Sequence, residues 1–242
     1  MNAGRRYLVT GGTSGIGRAV AAHLTARGHR VWITGTRPET VGAALSDGVA
    51  VGASVCDLAD TASVDSAVAE AADGLGGIDG VFANAGIDGE GVEGTALSPE
   101  RVLRILDVNV VGVLRTAQAA HRHLARPGVL VVNASVNALR PEPMFADYNA
   151  SKAAALSLAQ SLALEWSTEG IAVLAVCPGY FPSRMTQPYL DDPATAAELL
   201  THIPAGRFGR PQEIGALLEF LLGPDSHYLT GSAITIDGGR HL

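Results

Sequence analysis

Tyr148-Asn149-Ala150-Ser151-Lys152 sets a phenol and an ammonium four residues apart. On a helix such residues share a face, with Cβ atoms about 5–6 Å apart. A free tyrosine holds its proton with a pKa of about 10. A nearby positive charge favours the phenolate and lowers that value. Tyr148 so tuned is a general acid for carbonyl reduction and a base for alcohol oxidation. Lys and Arg together number 17, and Lys152 is the one lysine among them. The planar, always-protonated fork of arginine does not replace a compact ammonium. A chain that uses arginine everywhere else therefore marks position 152 as chemically specified.

Two more side chains stand out by their position. Ser135 closes an apolar run, Val129–Ala134, thirteen residues before Tyr148. Ligands bind at the C-terminal ends of parallel strands, and a hydroxyl there can donate to a substrate oxygen as negative charge develops. Asn109 lies in Asp107-Val108-Asn109-Val110, inside an expected helix. Asparagine is a poor helix-interior residue because its amide competes for backbone groups, so its placement among apolar residues needs explaining. A glycine-rich turn, Thr10-Gly11-Gly12-Thr13-Ser14-Gly15-Ile16-Gly17, follows the first apolar run and opens into a helical pattern. Glycines there let the backbone approach a pyrophosphate, and a helix N-terminus supplies free N–H groups. No Gly-Lys-Ser/Thr ending is present, which excludes a phosphate-transfer P-loop.

These motifs resemble the short-chain dehydrogenase/reductase family, in its small single-domain branch. The likeness runs from Tyr7 to Gly239. It implies a catalytic tetrad of Asn109, Ser135, Tyr148 and Lys152, with Asn109 kinking its helix and holding a water that relays protons through the lysine. It implies dinucleotide contacts from Gly11, Thr13, Ser14, Gly15, Ile16 and Gly17. Asn84-Ala85-Gly86 would line the adenosine side and steady the central sheet, and Asp57-Leu58 would contact adenine. Pro178-Gly179 follows the sixth strand as in the family. Ser183 stands where the family has threonine and keeps a hydroxyl for the nicotinamide amide, while Phe181 and Pro182 reshape that pocket. Tyr148 and Lys152 would also touch the cofactor.

The end of the second strand bears on NAD against NADP. A carboxylate there would bind the ribose 2′-OH and repel a phosphate. This chain has Gly35-Thr36-Arg37 instead, which favours NADP(H), with NAD(H) as the other candidate.

The elements that must hold these residues follow from hydrophobic patterning. Strands are expected at Arg6–Thr10, Arg30–Gly35, Val49–Val55, Ile78–Ala83, Val129–Ala134, Ile171–Cys177 and Ser232–Ile236. Their near-continuous apolar runs suit parallel strands covered on both faces. Helices are expected at Ile16–Arg27, Pro38–Leu45, Thr61–Ala72, Pro99–Ala125, Tyr148–Glu169 and Pro211–Leu222. The alternation predicts an α/β fold: a Rossmann-like, doubly wound parallel sheet of about seven strands with helices on both faces. One domain spanning 1–242 is expected, with a substrate lid at about 180–206 and a loop at Ile87–Thr95.

Composition narrows the partners. The 242 residues carry a net charge of −7, which argues against nucleic acid or an anionic membrane. No apolar stretch reaches the roughly 18 residues of a span, and a cytoplasmic location is expected. The two cysteines, Cys56 and Cys177, and the scattered histidines lack metal-ligand spacing, so no metal site is expected. The substrate pocket is expected to mix apolar Met144, Phe145, Tyr180, Phe181, Met185 and Leu190 with polar Asn137, Arg140, Glu142 and Arg184, which suits a medium-sized, partly apolar alcohol or ketone. Arg140 or Arg184 could meet a substrate carboxylate. The rival enzyme reading is a β-ketoacyl-thioester reductase acting on carrier-bound substrate, docked through Arg122 and Arg126. A third reading is a non-catalytic cofactor-binding regulator. The resemblance also implies a homo-oligomer, tetramer or dimer, packed through the two long helices.

Overall fold

The computed structural model describes residues 4–184 and 186–242. Met185, expected in the substrate pocket, lies outside them. In chain order the elements are β1 (Arg6–Val9), α1 (Gly15–Ala26), β2 (Arg30–Gly35), α2 (Pro38–Ser46), β3 (Gly52–Val55), α3 (Thr61–Leu75) and β4 (Ile78–Ala83). Then come α4 (Pro99–Leu106), α5 (Gly112–His121), β5 (Leu124–Asn133), α6 (Ala146–Trp166) and β6 (Ile171–Pro178). The last are α7 (Gln187–Asp191), α8 (Pro193–Thr201), α9 (Pro211–Leu221) and β7 (Ala233–Ile236).

The seven strands form one parallel sheet in the order β3-β2-β1-β4-β5-β6-β7. Apolar runs become central strands because both faces are covered. All eight residues of β6 are buried. One apolar layer joins the sheet to α3, α5 and α6, and the other joins it to α1, α2 and α9. Chain direction across the sheet reverses between β1 and β4. That is the switch point where a crevice opens beyond the strand ends, and the glycine turn and Asn84-Ala85-Gly86 both emerge there.

Three elements differ from the sequence expectation. The helix expected over Pro99–Ala125 is interrupted by a π turn at Asp107–Val111 and ends at His121. The chain then extends, so β5 begins at Leu124, opposite Ile78. Its register slips before Gly80 meets Val129, and Pro127, which has no N–H to donate, sits in that irregular stretch. Second, the strand expected over Val49–Val55 is shortened to Gly52–Val55: the Val49 N–H turns back to the Ala44 carbonyl, and pairing to β2 starts where the Val51 N–H donates to the Val31 carbonyl. Third, the segment 180–206 contains α7 and α8. Pro188 and Pro193 stand in the first turns of these helices, where the missing N–H costs nothing.

Candidate active site

The glycine turn is built by close packing. A Cβ on Gly17 would lie 2.5 Å from the Asn84 amide nitrogen, and one on Gly15 would lie 2.9 Å from the Ser183 Cβ. Gly11 adopts a φ of 66°, a conformation that glycine takes without penalty. Helix α1 starts after Ser14 with no side-chain cap, so its first N–H groups are left to an anionic ligand. This uncapped cradle fits a dinucleotide pyrophosphate. Thr10 and Asn84 brace it: the Asn84 and Ala85 N–H groups donate to Thr10 Oγ1, and Asn84 Nδ2 donates to the Thr10 carbonyl at 2.9 Å.

Thr36 and Arg37 are exposed at the end of β2. Asp57 is exposed too, its Oδ1 accepting from the Ala59 N–H. Leu58 differs in kind: it is 6% exposed and lies under Gly112, so its side chain belongs to the core. Phe181 is likewise a core residue, 3% exposed and packed against Gly209. Gly179 lies close against Asp237, its N–H donating to the Ile236 carbonyl. Ser183 Oγ accepts from the Thr186 N–H and lies 3.0 Å from Thr186 Oγ1.

Asn109, Ser135, Tyr148 and Lys152 converge beyond β4, β5 and β6. Ser135 is buried just after β5, its Oγ accepting from the Asn137 N–H at 3.1 Å, and it faces the Tyr148 phenol closely enough to lower its pKa. Lys152, 5% exposed, donates from Nζ to the Asn133 carbonyl at 2.8 Å. The same Nζ lies 5.6 Å from the Tyr148 ring centroid. Asn109 is fully buried in the π turn. Its Oδ1 accepts from the Ile87 N–H at 2.8 Å, and its Nδ2 donates to the Ile87 carbonyl and to Ser151 Oγ. Gly86 keeps the space between Asn109 and Lys152 open, since a Cβ there would sit 2.9 Å from Asn109 Oδ1. Ser151, and the bracing contacts of Thr10 to Asn84 and Ala85, carry no sequence signal of their own. A buried serine three residues after Tyr148, passing its own hydroxyl hydrogen to the Tyr148 carbonyl, shows only its helix position in the sequence.

The electrostatics correct the simple Tyr–Lys expectation. Burial pushes the Tyr148 phenol above its ordinary value; the Ser135 hydroxyl pulls it down, and Asp88 and Glu142 push it up again. Lys152 is itself lowered to about 8, first by burial. Its charge is thus weakened where it was expected to tune the phenol, and in this state desolvation wins.

The substrate side is framed by the loop after Gly86, residues 135–145, and the segment 180–206. Glu142 accepts from the Tyr180 hydroxyl at 2.5 Å and from Asn137 Nδ2 at 3.3 Å, and it pairs with Arg240 at 3.2 Å. Phe145 and Tyr189 meet edge to face at 6.3 Å. Arg140 donates to the Arg240 and Leu242 carbonyls, and Arg184 is exposed. A cavity of about 380 Å³, lined by Tyr180, Phe181, Ile203 and Ile236 among others, contains none of the tetrad; it lies between the segment 180–209 and the end of β7. Among the described residues, no three of His, Cys, Asp or Glu gather as metal ligands, and no helix is long and apolar enough to cross a membrane.

Comparison with known proteins adds to this geometry. The profile of the family described as Enoyl-(Acyl carrier protein) reductase matches residues 11–241. Glucose 1-dehydrogenase of Gluconobacter oxydans is 33% identical, over 99% of this chain and 93% of that protein. A short chain dehydrogenase from Burkholderia cenocepacia, solved in complex with NADP, superimposes with a TM-score of 0.89 at 34% identity, over 98% of both chains. A 3-ketoacyl-(acyl-carrier-protein) reductase from Brucella melitensis, complexed with NADH, gives a TM-score of 0.90 at 28% identity, over 99% of both.

Proposed function

The chain belongs to the short-chain dehydrogenase/reductase family, and from that premise we propose that its site exchanges hydride between a nicotinamide dinucleotide and a medium-sized, partly apolar secondary alcohol or ketone. One observation carries the reading: Ser135, Tyr148 and Lys152 meet at the ends of β5 and β6, beside the uncapped glycine turn. When bound, the nicotinamide supplies or accepts the hydride. Tyr148 gives its phenolic proton to the carbonyl oxygen in reduction and takes the hydroxyl proton in oxidation. Ser135 donates a hydrogen bond to the same oxygen as charge develops on it. Lys152 holds the ribose hydroxyls, and Asn109, tied to Ile87 and Ser151, keeps the floor of the site in place.

Gly11, Thr13, Ser14, Gly15, Ile16 and Gly17 cradle the pyrophosphate in this reading. Asp57, Asn84, Ala85 and Gly86 line the adenosine side, and Pro178, Gly179 and Ser183 the nicotinamide side. Leu58 and Phe181 contribute backbone, because their side chains are packed in the core. NADP(H) is favoured, since Thr36 and Arg37 replace the carboxylate that would repel a 2′-phosphate. The segment 180–206 acts as the substrate lid. The protein works in the cytoplasm as a homo-oligomer, dimer or tetramer.

Tyr148→Phe is expected to leave cofactor binding, read by fluorescence titration, nearly unchanged while removing turnover. Retained turnover would exclude the proton-transfer role. Catalytic efficiency is expected to be higher with NADPH than with NADH; a clear NADH preference would reverse the cofactor assignment. The carrier-bound thioester reading keeps a relative in its favour but gains nothing from Arg122 and Arg126, which already pair with Asp65 and Glu169. Comparing a free ketone with its carrier-bound form separates the two.

A further inference from the structure

Among the described residues, one carboxylate on the substrate side has no cation paired with it. Asp88 lies two residues after Gly86 and is half-buried. Its Oδ1 accepts from the Gly89 N–H at 3.0 Å, and its Oδ2 is 3.5 Å from the Tyr189 hydroxyl on the opposite segment. That second separation is long for a hydrogen bond, so Oδ2 keeps accepting capacity across the cleft. The neighbouring carboxylates are engaged. Asp147 accepts the N–H groups of Tyr148 and Glu90. Glu90 pairs with Arg101. Glu142 pairs with Arg240, whose guanidinium lies 5.6 Å from the Tyr180 ring centroid. Arg140, the other arginine of this wall, is turned to main-chain carbonyls.

Asp88 also stands close enough to the reacting end for its charge to act on both Tyr148 and Lys152. A substrate seated against Tyr148 and Ser135 therefore extends past an unanswered, partly desolvated acceptor. Covering that acceptor with an apolar group would cost its hydration with nothing in return. An anionic group there would add like-charge repulsion in a low-dielectric cleft.

We propose that Asp88 determines specificity, its carboxylate accepting a hydrogen bond from a second donor on the substrate, a hydroxyl or an ammonium a few atoms from the reacting carbon. The substrate class is then hydroxylated or amine-bearing alcohols and ketones, and those with a carboxylate at that place are rejected. A site built to hydrogen-bond a donor discriminates strongly against analogues lacking it. The inference rests on the dehydrogenase reading above.

The test is a panel of matched alcohols, cyclic and open-chain. Each set holds a plain alcohol, its vicinal diol, its amino alcohol and its hydroxy acid, assayed with both cofactors. For the wild-type enzyme the diol and the amino alcohol should exceed the plain alcohol at least about tenfold in kcat/KM, with the hydroxy acid last. Asp88→Leu should bring the donor-to-plain ratio close to one. Asp88→Asn, a near-isosteric variant that keeps an acceptor, should retain a diol preference, lose the amino-alcohol preference and relieve the rejection of hydroxy acids. An unchanged substrate order in both variants, or a wild-type preference for hydroxy acids, overturns the role of Asp88 and leaves the dehydrogenase reading standing. No wild-type turnover across the panel with either cofactor overturns both.

Discussion

At Tyr148 two effects oppose each other, and burial is the larger. The phenol is therefore protonated at neutral pH, ready as a donor for reduction and not as a base for oxidation. Its deprotonated fraction rises tenfold per pH unit below its pKa. Alcohol oxidation is accordingly expected to rise in kcat/KM from pH 7 to 9, by less than tenfold per unit because Lys152 loses its proton in the same window, while ketone reduction does not rise. A pH-rate profile in each direction checks this, and a flat oxidation limb would mean the phenol is already ionised. Tyr148 and Lys152 were legible in the sequence, because their spacing puts them on one helix face and the chain holds no other lysine, whereas Ser135 stood out through the family resemblance. The protonation of the pair was not legible, because desolvation depends on chain segments far away in sequence. Asp88 and Ser151 escaped for the same reason: a loop acid and a helical serine look ordinary until the cleft encloses them.

Among elements, the π turn and the wall formed by residues 135–145 do most to place the site. The strands were readable because continuous apolar runs admit few other fates in a sheet buried on both faces. The kink at Asn109 came from the resemblance; the form it takes, a π turn over Asp107–Val111, depends on the Asn109 amide meeting the Ile87 backbone. The roles of Leu58 and Phe181 needed knowledge of which helix and glycine would cover them. On the substrate wall, Arg240 links residues 135–145 to Tyr180 by way of Glu142, with both partners of the ion pair mostly buried. Removing one partner of such a pair costs about 3–5 kcal/mol. Arg240→Met should lower denaturant-unfolding stability by about that amount, and Arg240→Met combined with Glu142→Gln should recover part of it. Equal losses in the single and double variants would mean that Arg240 acts through packing alone.

For the molecule as a whole, the sheet and its two helical layers leave α6 with two different faces. Ala155, Ala159, Leu162 and Ala163 pack inward, whereas Ala153, Ser157, Gln160 and Leu164 point to solvent. Leu164 is 82% exposed, and Leu103 on α4 is also bare. If copies assemble through these helices, Leu164→Glu should shift the sedimentation coefficient toward a smaller species without lowering the melting temperature of the subunit. An unchanged coefficient places the assembly surface elsewhere.

The single lysine carries a consequence for chemistry done on the protein from outside. Apart from the α-amine, Lys152 is the only primary amine in the chain, and burial lowers it to about 8. A large share of it is therefore unprotonated, and so nucleophilic, in mildly alkaline buffer. A small acylating reagent would then read out one internal position, and the mass of the intact protein would count occupied sites directly. Bound dinucleotide should shield that position. The arginine-rich surface thus makes the protein a reporter of its own active-site occupancy, with no engineered label.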